Sequence, residues 1–168
     1  LHAGFQLDQS GDAVYLYDTA GNGQSVVDSV SFGLQAADFS IGRTGTGFNT
    51  WALCTPSIGA ANPAAVTLGP PGGLRINEWL SSPDFRTGDD FLEIFNPSAS
   101  PVAMGGMRIT DDITSLPARH VLPDLSFIGP EGFQVFKAKG GDASPGNPAE
   151  LPFSINSSFG FLSLAGDN

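Results

Sequence analysis

The chain has 168 residues, of which 40% are hydrophobic, so it can bury a core and is not an intrinsically disordered protein. Its 17 acidic and 7 basic residues give a net charge of −10, which disfavours nucleic acid and anionic membrane surfaces as partners. Gly 22 and Pro 13 are abundant and charged residues are only 14%, a composition typical of short strands joined by turns. We expect no membrane insertion, because no apolar run approaches the ~18 residues of a membrane helix.

Alternating apolar and polar residues predict several short strands in the first part of the chain. Residues 5–18 predict a hairpin-like pair of strands around a Ser-Gly-Asp turn. Residues 26–32 alternate again, and residues 38–51 place apolar side chains around a turn rich in Gly and Thr. Residues 63–73 are dominated by Pro and Gly and predict a linker.

The second part of the chain continues the same pattern from Leu74. Residues 74–80 predict a strand, and residues 90–96 predict a central strand because apolar side chains occupy both of its faces. Short apolar stretches separated by Gly and Pro follow, and residues 140–150 predict a long polar loop. Turn signals about every 8–12 residues, with no helical period, predict an all-β sandwich.

An internal repeat relates the two ends of the chain. Residues 5–18 match residues 153–166 at a constant offset of 148 residues, without a gap. The matched apolar positions are Phe5 with Phe153, Leu7 with Ile155, Val14 with Leu162, and Leu16 with Leu164. The chain is therefore predicted to span about one repeat plus an overlap.

Three stretches of the second part follow one another in a recognisable order: LRINEWL, DDFLEIFNPSASPVAMGGMRITDD and LPDLSFIGPEGFQVF. In this order they resemble the opening half of a lamin-tail domain, although Met107 stands where that family usually has an aromatic residue. FQLDQSGDAVYLYD, VVDSVSFG and FSIGR resemble its closing half. The resemblance implies an immunoglobulin-like β-sandwich. It also implies a family found in nuclear lamins and in secreted or surface-attached bacterial proteins, where the domain accompanies enzymes.

The closing half precedes the opening half, which predicts an unusual domain organisation. Residues 1–62 are predicted to be the C-terminal half of one lamin-tail-like repeat, and residues 74–168 the N-terminal portion of a second. The two halves are expected to form one circularly permuted sandwich or a strand-swapped assembly. The copies at 5–18 and 153–166 would compete for one place, which predicts self-association through the losing strand.

Acidic residues suggest one metal site. Two adjacent pairs fall in predicted turns or strand ends: Asp89, Asp90, Asp111 and Asp112. Paired carboxylates in loops can bind Ca²⁺, which is the one cofactor the sequence suggests. The competing interpretation is that they are solvated turn residues, because the DxDxDG calcium loop is missing.

Two glutamates within apolar strands have two interpretations. Glu78 and Glu93 could form a polar clasp inside the sandwich with Arg75 or Arg108. Alternatively, they could be the paired carboxylates of a glycosidase, although nothing in the sequence fixes their separation.

No catalytic constellation is evident. Cys54 is the single cysteine and is expected to be a small buried hydrophobe. His120 lacks a nucleophile elbow of the G-x-S-x-G type. We therefore predict that the chain is not an enzyme.

The predicted function is a non-catalytic interaction or scaffolding module of a larger secreted or cell-surface protein, with a protein or polysaccharide partner. One alternative is a carbohydrate or cell-wall binding module, for which exposed aromatic residues Trp51, Trp79 and Phe85 are the candidate platform. Another alternative is an accessory domain of a hydrolase. The acidic, Lys-poor composition and the family resemblance together favour an extracellular or cell-surface location.

Overall fold

Residues 4–81, 88–115 and 118–155 are described by the computed structural model, and they form an all-β fold as the sequence predicts. The strands are β1 (Asp12–Tyr17), β2 (Val26–Phe32), β3 (Ser40–Thr44), β4 (Thr50–Cys54), β5 (Arg75–Leu80), β6 (Asp90–Phe95), β7 (Val102–Ala103), β8 (Arg108–Ile109), β9 (His120–Val121), β10 (Phe127–Ile128), β11 (Phe133–Ala138) and β12 (Glu150–Leu151). The helical elements in these ranges are 3-10 turns at Ala20–Asn22, Pro71–Gly73 and Gly140–Asp142. None of the described helices is long and apolar enough to cross a bilayer.

The first part of the chain forms two antiparallel hairpins, β1–β2 and β3–β4. The hairpin predicted within residues 5–18 is wrong, because β1 pairs with β2 and residues 5–10 contain no strand. Instead, Asp8 accepts hydrogen bonds from the amides of Ser10 and Gly11 in a local turn that leads into β1. The reversal that pairs the strands comes later, where Gly23 and Gln24 both have positive φ.

The largest sheet has the strand order β12-β11-β6-β5. The central position predicted for residues 90–96 is confirmed, because β6 pairs antiparallel with both β5 and β11. Leu92 and Phe136 point from β6 and β11 into the core, whereas their neighbours along each strand face outward. A register shift between Ile76 and Glu78 marks a bulge in β5, which lies at one edge of this sheet.

The main core lies beneath this sheet and the two short ladders β7–β10 and β8–β9. It is built from apolar side chains that are nearly all inaccessible to solvent: Leu34, Leu92, Val102, Met104, Ile109, Leu122, Ile128, Phe136, Ala138, Leu151, Phe153 and Ile155. Met107, at the position where an aromatic residue was expected, packs against this core from a half-buried position.

The first and second parts of the chain share their buried clusters. Leu34 belongs to the main core, and Ala36 and Leu53 pack with Phe127 in a second, smaller cluster. Backbone hydrogen bonds reinforce this contact. The Phe127 amide donates to the Leu34 carbonyl over 2.8 Å, and the Gly33 amide donates to the Asp124 carbonyl over 3.2 Å. The segment from residue 33 onward is therefore packed directly on the second part.

The predicted linker, residues 63–73, contains no strand. It nevertheless forms hydrogen bonds with both parts of the chain, because the Val66 amide donates to the Leu53 carbonyl and the Gly69 amide donates to the Pro101 carbonyl, each over 2.9 Å. The segment is therefore held along the surface by backbone hydrogen bonds.

Candidate binding cleft between the two hairpins

An apolar cleft of about 460 Å³ lies between the β1–β2 and β3–β4 hairpins. Its walls are formed mainly by half-buried apolar side chains: Val14, Val30, Phe32, Phe39, Ile41 and Trp51. Val14 and Val30 face each other across the β1–β2 ladder, so alternation along both strands places them on the same side. The cleft is therefore a consequence of the period-2 pattern in the two hairpins.

Arg43 links the two walls of the cleft. Its Nη2 atom lies 2.6 Å from Oδ1 of Asp28 on β2, and its Nη1 donates to the Phe48 carbonyl at 3.2 Å. Its guanidinium carbon also lies 4.3 Å from the centroid of the Trp51 ring. The Arg43 and Asp28 side chains are partly exposed, so the ion pair alone contributes little, but the stacked guanidinium fixes the orientation of Trp51.

The tip of the β1–β2 hairpin is unusually apolar for a solvent-exposed surface. Five of its large side chains are more than half exposed: Tyr15, Leu16, Tyr17, Val26 and Val27. Tyr17 lies opposite Val26 in the ladder, and the rings of Tyr15 and Tyr17 are 6.3 Å apart. Alternate residues of a strand point to opposite faces, so Tyr15 and Tyr17 lie on the face of β1 opposite to Val14, which lines the cleft.

The predicted aromatic platform is not assembled as expected. Trp51 lies on β4 and lines the cleft, but one face of its ring is covered by Arg43. Trp79 lies on β5, in a different sheet, and Phe85 lies outside the described residues. Trp51 and Trp79 therefore do not belong to one strip on one sheet.

A different aromatic pair was missed by the sequence interpretation. The rings of Phe95 and Phe133 stack at 4.5 Å with an interplanar angle of 20°, on the outward face of the four-stranded sheet. Phe133 is 57% exposed. Because β6 and β11 are apolar on both faces, the alternation alone does not reveal which aromatic residues face solvent.

The aspartates proposed as calcium ligands have other partners. Asp89 lies 2.8 Å from Nζ of Lys139, and this contact raises the pKa of Lys139. Asp90 is buried and accepts a hydrogen bond from the Ser154 hydroxyl at 3.1 Å. Among the described residues, no group of three or more His, Cys, Asp or Glu side chains could hold a metal ion.

The second predicted aspartate pair is also engaged in local structure. Asp112 accepts hydrogen bonds from the amides of Thr114 and Ser115 at 3.0 and 2.8 Å, and the Ser115 amide is the main cause of its lowered pKa. The Asp111 side chain is fully buried and forms an ion pair with Arg119 through Oδ1. Within the described ranges, its Oδ2 has no hydrogen-bond partner. The guanidinium of Arg119 lies 4.4 Å from the Phe153 ring centroid, so this pair braces the end of the described chain.

The polar clasp predicted for Glu78 and Glu93 is wrong. The two residues lie opposite each other in the β5–β6 ladder, with Glu78 exposed and Glu93 half-buried. Glu93 accepts a hydrogen bond from the side-chain amide of Asn77 at 2.7 Å, and Arg75 donates to the carbonyls of Gly72 and Leu74 instead. Arg108 is exposed on β8, and neither glutamate forms an ion pair within the described ranges.

His120 and Cys54 make structural contacts. Nε2 of His120 lies 2.9 Å from the Pro148 carbonyl oxygen, and its ring meets the edge of Phe136. Cys54 is completely buried, as the sequence predicts, with its thiol directed to the Ala52 carbonyl. These contacts explain both residues through packing.

Comparison of the chain with protein-family models, with curated proteins and with solved structures found no match. The features available for assigning a function are therefore the apolar cleft, the exposed hairpin tip and the outward-facing phenylalanine pair.

Proposed function

We propose that this chain is a non-catalytic interaction module that binds an extended polypeptide segment in the cleft between its two hairpins. In this proposal the fold is an immunoglobulin-like sandwich of the lamin-tail type, in a secreted or cell-surface protein. The all-β architecture and the order of the sequence motifs support that assignment. The cleft itself is the observation that supports polypeptide binding.

An extended polypeptide suits this cleft for two reasons. The side chains of a bound strand alternate, so every second one could enter an apolar groove of about 460 Å³. In addition, β1–β2 and β3–β4 are each two-stranded among the described residues, so their outer backbone edges could pair with an added strand. Backbone hydrogen bonds would then supply affinity, and the apolar lining would supply specificity.

Charge favours a partner with basic residues. The protein carries a net charge of −10, and Asp8 lies in the lining of the cleft, whereas Asp28 beside the cleft is already paired with Arg43. Lys or Arg side chains flanking the apolar positions of the partner would be attracted to this region. We therefore expect the affinity for such a segment to fall as the salt concentration rises.

A displayed library of short peptides, apolar at alternate positions and flanked by Lys or Arg, tests this function. Selected peptides should lose at least about tenfold in affinity for Val30→Asp and for Trp51→Leu, which alter the cleft. Val121→Asp, an exposed valine on β9, is the matched control and should leave the dissociation constant unchanged. Melting curves establish that each variant is folded. Peptides that bind all variants equally, or a library that yields no binder, would refute the proposal.

A second candidate function is carbohydrate binding, which the Phe95–Phe133 pair favours. Flat aromatic rings exposed on a sheet face can stack against sugar rings, and Phe133 is the more exposed member of this pair. Pull-down with insoluble cellulose, chitin and peptidoglycan tests it. Binding that is lost in Phe133→Ala and kept in Val30→Asp would support this function over peptide binding in the cleft.

A further inference from the structure

A second pocket adjoins the hairpin cleft, at the junction between the first and second parts of the chain. Its volume is about 560 Å³, and its walls come from residues 34–39 of the first part and from the turn that leads into β11 of the second. Gln9, Gln35 and Phe39 line both this pocket and the cleft, so the two cavities share a wall. A ligand held in the cleft therefore lies next to the second pocket.

Two side chains supply hydrogen-bond acceptors to the second pocket. Asp38 is exposed, and within the described ranges its carboxylate forms neither an ion pair nor a side-chain hydrogen bond. Nε2 of Gln35 donates to the carbonyls of Gly33 and Leu125 over 2.8 and 3.0 Å, which leaves Oε1 of the same amide as an acceptor. A carboxylate and an amide oxygen together favour a ligand that donates hydrogen bonds and carries a positive charge.

Aromatic rings line the same pocket as these acceptors. Phe39 is half-buried in the shared wall, and Phe133 lines the pocket while 57% of its surface remains exposed. Phe95 stacks on one face of the Phe133 ring, so the opposite face is the one open to a ligand. A planar cation can stack on such a ring, as the guanidinium of Arg43 does on Trp51.

We propose that the second pocket binds an arginine side chain of the extended segment that occupies the hairpin cleft. The guanidinium pairs with the Asp38 carboxylate, donates to Oε1 of Gln35 and stacks on an aromatic ring. Arginine suits the pocket better than lysine, because its planar group stacks and presents five donors in fixed directions. This inference rests on the proposed peptide-binding function and specifies one basic residue of the partner.

The geometry of an extended chain predicts where this arginine lies in the partner. Side chains on one face of a strand are two residues apart, which is about 6.6 Å along the chain. Because the cleft and the second pocket adjoin, the residues that enter them are expected to be neighbours on one face of the bound segment. The predicted motif is an apolar residue, any residue and then arginine, or the same three in reverse order.

The repeated segments of this chain do not supply the arginine. Residues 5–18 and residues 153–166 contain neither arginine nor lysine. The occupant of the two cavities is therefore a segment of another protein. Self-association through the repeat stays a prediction, because residues 156–166 of the second copy lie outside the described residues.

A double-mutant cycle between protein and peptide tests the assignment. The probe is a peptide selected for cleft binding that contains the motif, together with a version in which citrulline replaces the arginine. Citrulline keeps the shape of the side chain and removes its charge. Asp38→Asn removes the carboxylate charge, and asparagine tolerates the φ of 64° at this position, so the backbone is undisturbed. Asp124→Asn, at an exposed aspartate that lines neither cavity, is the matched control.

Fluorescence anisotropy gives the dissociation constants. Asp38→Asn should weaken binding of the arginine peptide about tenfold and that of the citrulline peptide by less than about twofold, because only arginine pairs with the carboxylate. Asp124→Asn should change neither constant, and a lysine version of the peptide should bind the unmodified protein more weakly than the arginine peptide. The inference is overturned if Asp38→Asn affects both peptides equally, or if lysine binds as tightly as arginine.

Failure of this inference is distinguishable from failure of the proposed function. If Val30→Asp weakens peptide binding and the cycle shows no coupling at Asp38, the cleft binds peptides but the second pocket does not hold their arginine. If no peptide binds in the cleft, N-acetylarginine N-methylamide at millimolar concentration tests the pocket itself. Chemical-shift changes at Gln35 and Asp38 that disappear in Asp38→Asn would support an arginine site, and their absence would overturn it.

Discussion

The guanidinium of Arg43 stacks on the ring of Trp51, with 4.3 Å between the guanidinium carbon and the ring centroid, while Nη2 pairs with Asp28 on the opposite hairpin. One side chain thus connects β2, β3 and β4 and defines the shape of the cleft. The Arg43–Asp28 ion pair joins residues that belong to two separate hairpins.

We predict that Arg43→Ala lowers the free energy of unfolding by about 1 kcal/mol, because an exposed ion pair and one cation–π contact are lost together. Arg43→Lys should recover only part of the loss, since the ammonium group keeps the charge but not the planar stacking. Urea denaturation with an unchanged m-value measures both. Equal stability of Arg43→Ala and the unmodified chain would show that Arg43 does not brace the cleft.

Gly33 is expected to tolerate no side chain, because a Cβ there would lie 1.9 Å from Oγ of Ser126. We predict that Gly33→Ala costs about 2–3 kcal/mol by forcing the two parts of the chain apart. In a Ser126→Ala background the same substitution should cost less, since the clashing oxygen is gone. A double-mutant cycle measured by urea denaturation gives the coupling free energy between Gly33 and Ser126. Strictly additive losses of stability for the two substitutions would argue against this contact.

The Asp111–Arg119 pair should respond asymmetrically to substitution, because the Asp111 side chain is fully buried and that of Arg119 is 28% exposed. Arg119→Ala leaves a buried carboxylate unpaired and should cost about 3 kcal/mol. Asp111→Asn removes the buried charge and leaves a partly solvated guanidinium, so it should cost about 1 kcal/mol. Chemical denaturation of both variants decides the matter, and a larger loss for Asp111→Asn would contradict this assignment.

The free energy of unfolding should decrease in acid partly because the Glu150 carboxylate becomes protonated. The Ser144 amide donates to Glu150 Oε2 at 2.6 Å and holds the pKa of that carboxyl below its ordinary value of 4.5. A carboxyl with a lowered folded-state pKa stabilises the fold above its unfolded pKa, and this contribution is lost as pH falls through the folded pKa. Melting temperatures measured from pH 6 to pH 3 should therefore fall less steeply for Glu150→Gln. Parallel curves for the two proteins would show that this hydrogen bond is not linked to stability.

Elements whose identity depends on local alternation were predictable from the sequence. Residues 26–32 form β2 as predicted, and the central place of β6 follows from apolar residues on both of its faces.

Asn96, part of the motif after β6, is completely buried. Its amide donates to the carbonyls of Ser100 and Gly129, while its oxygen accepts hydrogen bonds from Ser98. Four hydrogen bonds therefore satisfy the buried side chain of Asn96, which explains why this turn requires a polar residue.

Features that depend on distant partners were not predictable. The aspartate pairs suggested a cation site because Lys139 and Arg119, which neutralise Asp89 and Asp111, are not adjacent in sequence. The strand at residues 12–17 was assigned the wrong partner because the turn at Ser10 has hairpin composition but closes locally on Asp8. The cleft could not be predicted either, since Val30 and Trp51 belong to separate hairpins.

Chemical-shift mapping of a selected basic, alternately apolar peptide tests the peptide-binding proposal most directly. We predict that the largest shifts occur in residues lining the cleft, with Val30, Phe39 and Trp51 among them, and that they saturate with a single dissociation constant. Shifts concentrated instead on Phe95 and Phe133 of the outward sheet face, or spread without a focus over the surface, would contradict it.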